Sequence, residues 1–457
     1  AHRALGDAQA THLVLDNLIH RALDMDPGVI AELNRLASKA NWPIQHLFNA
    51  ITKEQQAHGK NSSLGMGGVD LASLEMRIHP KRTRNTTKSP ELSSQPKPTP
   101  VVLAHTLIGP GGALDRVIPN FEHRSEQETM FVGVAKALEN EQHMIVEAGT
   151  GVGKSMAYLL PAAEFAIRNK TRVVISTNTI SLQEQLVNKD LPTTMSALIE
   201  AGISDGSNFR FTTLKGRANY LCLNRWSHLR SSAELNVDEA RFMGKMTCWL
   251  QETSSGDRAD IRTSRQDNGV WERLSAQGSR ECPLQQGACF LRSARERAES
   301  ADVVVVNHSL LLSDLAMGGG LIPDYEHLVI DEAQHLEAEA TKQLGSRVPY
   351  SSFFDLLDAL SGPRGLAREV MNSYRSSRAA ESRKRATEQG STHLTEGVAR
   401  ARQRLDEWFT VLNRFMRNRD GVDSGILNPM RVTSATRAQP DWSELEVAWD
   451  NSSSAVS

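Results

Sequence analysis

A chain of 457 residues, 23% charged and 39% hydrophobic, is long enough for two or three domains with cores of their own, which excludes a small stapled module. Its 52 Lys+Arg against 54 Asp+Glu leave a net charge of −2, which excludes a histone-like polycation and a mostly disordered chain. No apolar run approaches the roughly 20 residues of a membrane-spanning helix and no charged-then-apolar leader opens the chain, so the expected compartment is the cytoplasm; four cysteines are too sparse for a disulfide scaffold and read instead as a metal site.

The chain opens at Ala1-His2-Arg3-Ala4-Leu5-Gly6-Asp7 in a helical pattern with no cap, and it closes just as an element begins near Glu444, so it reads as a fragment. Residues 12–56 repeat apolar positions at helical spacing (Leu15, Leu18, Ile19, Leu23; Ile30, Leu33, Leu36, Ala37) and predict a small helical region. Residues 80–100 hold five prolines in a Ser/Thr/Lys background and predict a disordered linker. From 101 to 345 the runs Met144-Ile145-Val146, Val173-Val174-Ile175, Val303 to Val306 and Leu328-Val329-Ile330 alternate with helical patterns. Unbroken apolar strands between helices predict an α/β domain, a parallel sheet with helices on both faces.

Directly after the first of those runs stands Glu147-Ala148-Gly149-Thr150-Gly151-Val152-Gly153-Lys154-Ser155, a phosphate-loop pattern with Ala148 in place of the first glycine. Glycines at 149, 151 and 153 let main-chain N–H groups turn inward around a phosphate at a helix N-terminus. Lys154 is expected to reach the β- and γ-phosphates of ATP, and Ser155 to ligate Mg²⁺. The run Leu328-Val329-Ile330-Asp331-Glu332 supplies the acidic partner: Asp331 for the metal, Glu332 to orient and deprotonate the attacking water. Together the two motifs predict an ATPase. Further on, residues 364–419 carry 13 Lys+Arg against 6 Asp+Glu, while Leu394, Val398, Ala401, Leu405, Trp408, Leu412 and Phe415 follow 4-3-4-3 spacing, which predicts a helical hairpin with a basic face suited to nucleic acid.

Taken with Ser176-Thr177-Asn178-Thr179-Ile180, Gly216-Arg217-Ala218-Asn219-Tyr220-Leu221-Cys222 and Val306-Asn307-His308-Ser309-Leu310-Leu311, these motifs resemble, in order, those of DinG-type helicases, the bacterial relatives of the XPD group in helicase superfamily 2. The resemblance implies a RecA-like motor domain that couples ATP hydrolysis to 5′-to-3′ movement on single-stranded DNA and to unwinding of duplex DNA, in repair or replication. It implies adenine-reading roles for Arg124 and Gln127, DNA-backbone contacts by Thr177 and the helix starting near Ile180, and a helical arch after the Asp331 box. The family's box reads Asp-Glu-Ala-His, whereas Gln334 takes the fourth place here, followed by His335. Thr433-Ser434-Ala435-Thr436 resembles a helicase motif that ends a buried strand, but its lead-in is a poor strand, so it reads as part of the arch.

All four cysteines fall between residues 222 and 289. The resemblance implies a 4Fe–4S cluster there, with Cys222, Cys282 and Cys289 at three ligand positions. Cys248, in an apolar helical setting, reads either as the fourth ligand or as a small core residue. Zinc is the alternative metal, against which stands the missing close cysteine pair. His2 to Thr11 resembles the last motif of DnaQ-like (DEDDh) exonucleases, which implies a general base at His2 and a metal ligand at Asp7 of a site whose other carboxylates would precede Ala1.

The resulting map is the end of an exonuclease domain at 1–22, a helical connector at 23–79, a linker at 80–100, a RecA-like ATP-binding domain at 101–345 with a cysteine insertion at 215–292, and a truncated arch at 346–457. A fragment of this kind is expected to bind ATP, to hydrolyse it weakly, and to lack exonuclease activity. The rival readings are a non-catalytic, nucleotide-switched DNA-binding or regulatory protein and a P-loop ATPase acting on another polymer.

Overall fold

A computed structural model describes residues 4–62, 64, 68–79, 102–149, 151–232, 235–277, 287–345, 349–363, 365–376, 381–420 and 430–456. His2, the linker expected at 80–100, Thr150 and Cys282 lie outside these residues. The chain divides into two compact units, Ala1–Gly345 and Ser346–Ser457.

The first unit opens with α1 (Ala4–Asp24), α2 (Pro27–Lys39) and α3 (Gln45–Ala57). Asp26 caps α2 by accepting from the Gly28 N–H, and Pro27 fits the first turn, where an N–H would be orphaned anyway. Val29, Ile30, Leu33 and Ala37 of α2 bury against Phe48 and Ile51 of α3. On α1, by contrast, Leu15 and Leu18 are at least half exposed, because no described element covers that face. The expected boundary after residue 22 falls inside α1. Next come α4 (Leu71–Ile78), α5 (Val102–Ile108), α6 (Ala113–Val117) and α7 (Ser125–Glu139), then an irregular segment over 142–149 that carries the phosphate loop into α8 (Lys154–Asn169).

From there strands and helices alternate: β1 (Val173–Thr177), α9 (Ile180–Gln185), a π-helical turn at Leu186–Asp190, α10 (Leu191–Glu200) and β2 (Phe211–Thr213). The insertion follows as α11 (Leu223–Ser231), α12 (Val237–Trp249), α13 (Asp267–Leu274) and α14 (Phe290–Glu299). The unit closes with β3 (Val303–Asn307), α15 (His308–Ala316), β4 (His327–Ile330) and α16 (Leu336–Leu344). Among the described residues the strands form one sheet in the order β2-β3-β1-β4, every pair parallel. Val173 stands opposite Val303 on one side and His327 on the other, so β1 is buried on both faces. This register brings Thr177 and Asp331 out together at the carboxyl edge of the sheet, where open parallel sheets hold their ligands.

One expected strand is absent. Met144-Ile145-Val146 makes no ladder, Ile145 is wholly exposed, and among the described residues the outer edge of β4 is unpaired, with Leu328 38% exposed. The segment and the β4 edge both line an open cleft, where water can satisfy the main chain of the segment in place of a ladder.

The insertion has a dense core. Leu221, Trp226, Phe242, Met246, Trp271 and Phe290 are buried in it, and Gly256 sits in the left-handed region (φ +61°) where an added Cβ would lie 2.1 Å from the Phe290 ring. Helix α2 packs on α12, and Glu32, 3% exposed, is bound by Arg35 and by Arg230 at 2.7 Å. The N-terminal helices are thus docked on the insertion, an attachment their sequence gives no sign of.

The second unit comprises α17 (Tyr350–Ser361), α18 (Leu366–Ser376), α19 (Glu381–Asp420), α20 (Ser434–Arg437) and α21 (Trp442–Val456). Val398, Ala401, Leu405 and Phe415 of α19 are buried as the spacing predicts, although Leu394 stays 38% exposed. Arg383, Arg385 and Arg400 are exposed, while Arg402 and Arg414 pair with Asp358 and Glu444. Thr433 caps α20, so Thr433-Ser434-Ala435-Thr436 opens a helix and does not end a strand.

Candidate nucleotide site

The loop between residue 147 and α8 is shaped by glycine. Gly151 and Gly153 hold φ of +83° and +81°, which side chains avoid, and a Cβ on Gly153 would lie 2.3 Å from Gln127 Nε2. Gly153 caps α8, so Lys154 and Ser155 begin the helix where main-chain N–H groups have no intrahelical acceptor and attract an anion. Gln127, 4% exposed, donates from Nε2 to the Gly153 carbonyl at 2.9 Å, and the Arg124 guanidinium donates to the Gly151 carbonyl. Both side chains therefore buttress the loop's main chain. Ala148 and Val152 are half-buried and Gly149 is exposed on the same loop.

The acidic strand meets this loop from across the cleft. The Asp331 N–H donates to the Ser176 carbonyl at 2.8 Å, continuing the β1–β4 ladder by one residue, and Thr177 Oγ1 donates to Asp331 Oδ2 at 3.2 Å. Burial pushes the Asp331 carboxyl up, Glu332 beside it adds to the rise, and the Thr177 hydroxyl and Lys154 work against it. Glu332 takes a left-handed conformation (φ +56°), a strain of the kind stored at functional sites. Its Oε1 lies 3.9 Å from Lys154 Nζ, and Gln334 donates its amide to the same carboxylate. The residue that departs from the family's box thus orients Glu332 directly.

Lys154, Tyr158, Asp331, Glu332 and Gln334 line an open cleft of about 1310 Å³. An ammonium, the N-terminus of α8, a hydroxyl and two carboxylates around one cavity fit a Mg²⁺–triphosphate. Among the described residues no group of three or more His, Cys, Asp and Glu is arranged to hold a metal. Mg²⁺ keeps most of its waters and takes one or two protein ligands beside the phosphates.

Other expectations fare differently. Thr177 is wholly buried and committed to Asp331, so it does not face DNA; Thr179 and Ser181 are exposed at the start of α9. Cys222 and Cys289 stand at the starts of α11 and α14, and their neighbours Leu221 and Phe290 both meet Gly256: Leu221 N–H donates to its carbonyl, and the Phe290 ring packs on it. Cys248 packs against the Val29–Ile51 helical cluster instead, and burial pushes its thiol up. Its packing matches the small-core reading of Cys248. Asp7 is exposed on the first turns of α1. Sequence reasoning missed Tyr158, Asp190 and the buried Lys215, none of which belongs to a motif.

A family model described as DEAD/DEAH box helicase matches residues 132–202. Similar curated proteins include the 3'-5' exonuclease DinG of Bacillus subtilis, 29% identical over 76% of this chain and 36% of that protein. The ATP-dependent DNA helicase YoaA of Escherichia coli is 36% identical over 54% of this chain and 39% of its own length. The ATP-dependent helicase DinG of Mycobacterium tuberculosis is 38% identical over 48% and 35%. The chain spans well under half the length of these relatives. The parallel sheet and the phosphate loop agree with these similarities, and the segment resembles the RecA-like motor domain of DinG-type superfamily 2 helicases.

Proposed function

We propose that this DinG-type segment binds ATP with Mg²⁺ on the loop from Ala148 to Ser155 and powers 5′-to-3′ movement along single-stranded DNA and duplex unwinding, within a larger protein that also carries a 3′–5′ exonuclease. Lys154 neutralises the β- and γ-phosphates, Ser155 and Asp331 hold the metal, and Glu332 takes a proton from the attacking water. Bound Mg²⁺ would supply charge neutralisation on the phosphate oxygens. Arg124 and Gln127, already fixed to the loop, are proposed to read the adenine. Single-stranded DNA is proposed to contact the start of α9, and the exposed arginines of α19 are proposed, by themselves, as a DNA-binding face; both would make binding sequence-independent and weaker at high salt.

The observation that carries this reading is the 3.9 Å approach of Lys154 to Glu332, which brings two motifs far apart in sequence to one cleft. Glu332→Gln is the test. It is expected to keep nucleotide affinity while DNA-stimulated ATP hydrolysis falls on the order of 10²- to 10⁴-fold. Hydrolysis at the wild-type rate in that variant would remove Glu332 from the chemistry.

For the insertion we propose an iron–sulfur cluster on Cys222, Cys282 and Cys289 whose fourth ligand is not Cys248. Cys222→Ser is expected to remove the absorbance at about 400 nm of anaerobically purified protein, and Cys248→Ala to retain it. A colourless wild type containing zinc overturns the cluster.

A further inference from the structure

Two side chains outside the motifs stand behind the proposed Mg²⁺ ligands. Tyr158 lies one turn beyond Ser155 on α8, is 3% exposed, and its buried hydroxyl has no hydrogen-bond partner among the described residues. That hydroxyl faces the Ser155 and Asp331 side chains and interacts with both. Asp190 ends the π-helical turn at Leu186–Asp190 and is 6% exposed. Its carboxyl interacts with Ser155, and Gln185 Nε2 lies 3.5 Å from its Oδ2. The Tyr158 hydroxyl lacks a well-formed hydrogen bond although it is buried near carboxylates, which is costly for a buried hydroxyl, and Asp190 is held only loosely by the long contact from Gln185. A π-helical turn is rare and occurs frequently at functional sites.

We propose that Asp190 and Tyr158 are positioning residues for the metal: Asp190 accepts the Ser155 hydroxyl proton and Tyr158 donates its own to Asp331. The chemistry of the donors requires help of this kind. A serine hydroxyl has one proton and two lone pairs, and it offers a lone pair to a cation in a fixed direction only when its proton is held elsewhere. Asp190 is that acceptor. Asp331 has two carboxylate oxygens, one already bonded by Thr177, and a hydroxyl from Tyr158 would fix the carboxylate plane. Because Asp190 ends the turn that leaves α9, the same contact ties the helix proposed to lie on DNA to the metal ligand on α8.

This inference rests on the nucleotide reading and deepens it. The test is titration of the purified chain with a fluorescent ADP analogue, in Mg²⁺ and in EDTA. Wild type is expected to bind more tightly in Mg²⁺. Asp190→Ala is expected to lose on the order of tenfold or more of that gain and to leave affinity in EDTA unchanged. Asp190→Asn, which keeps an acceptor oxygen, should recover part of the loss, and Tyr158→Phe should shift the Mg²⁺ requirement in the same direction. Should Asp190→Ala fail to fold, the Asn and Phe variants carry the test. Wild-type Mg²⁺ dependence in folded variants overturns the inference while the nucleotide reading stands; no analogue binding by wild type overturns both.

Discussion

Lys154→Ala is expected to weaken binding of ATP with Mg²⁺ on the order of 100-fold or more, measured by titration with a fluorescent analogue, while the melting temperature stays nearly unchanged. The two outcomes separate because Lys154 does little for the empty fold. Its side chain is 37% exposed and its nearest carboxylate oxygen, on Glu332, is 3.9 Å away, a contact worth under about 1 kcal/mol after solvent screening. With nucleotide present the same ammonium meets two phosphates at the start of α8, where charge-assisted hydrogen bonds are about twice as strong as neutral ones. Loss of Lys154 also removes a cation beside Glu332, which adds repulsion between the carboxylates and the triphosphate. Binding at wild-type affinity in this variant would sink the assignment of the phosphate loop, and with it the functional reading.

The phosphate loop and the Asp331 strand were legible in the sequence because both depend on short-range demands: glycine where φ is positive, apolar β-branched residues where a strand is buried on both faces. β1 and β3 satisfy that rule along their length, since each has a neighbouring strand on both sides. Met144 to Val146 meets the same compositional rule and makes no ladder, because pairing is a property of a neighbour and not of the run itself. Thr177 fails as a DNA contact for a related reason. Its place in a motif says that the position matters, whereas the parallel register with β4 decides that its hydroxyl turns to Asp331. Cys248 shows the limit of counting cysteines: its thiol belongs to the packing of α12 on the N-terminal helices, a tertiary contact between residues about two hundred apart in sequence. Asp190 and Lys215 were invisible because a charged residue in a helical stretch is read as solvated unless something in the chain signals its burial, and nothing does.

Lys215→Met is expected to destabilise the first unit by about 3–5 kcal/mol, read from urea unfolding followed by tryptophan fluorescence. The side chain of Lys215 is 2% exposed, and its Nζ lies 2.6 Å from Asp257 Oδ2 and 2.8 Å from Glu184 Oε1. Burial alone would push the ammonium down; the hydrogen bonds it donates to Asp257 and Glu184 reverse this and hold it above its ordinary value. A raised folded value means that the stabilisation is fully present below the ordinary 10.5 and is lost only as pH rises through the folded value, so a measurement at neutral pH sees all of it. Methionine keeps the length of the stem but leaves Asp257, its side chain 10% exposed, with an uncompensated charge, whereas Glu184, 37% exposed, can turn to water. The cost should therefore sit mainly on Asp257, and Lys215→Met with Asp257→Asn should regain much of the stability. The cluster joins α9, through Glu184, to the insertion, through Asp257, while Gln183 of the same helix donates to the Leu214 and Val305 carbonyls at 2.9 and 2.8 Å. A variant that loosens this cluster thus releases the helix proposed to carry DNA from the domain proposed to carry the metal cluster, and Lys215→Met should weaken single-stranded DNA binding more than it weakens nucleotide binding. Equal losses of both would mean that the cluster supports the fold as a whole and transmits nothing between the two.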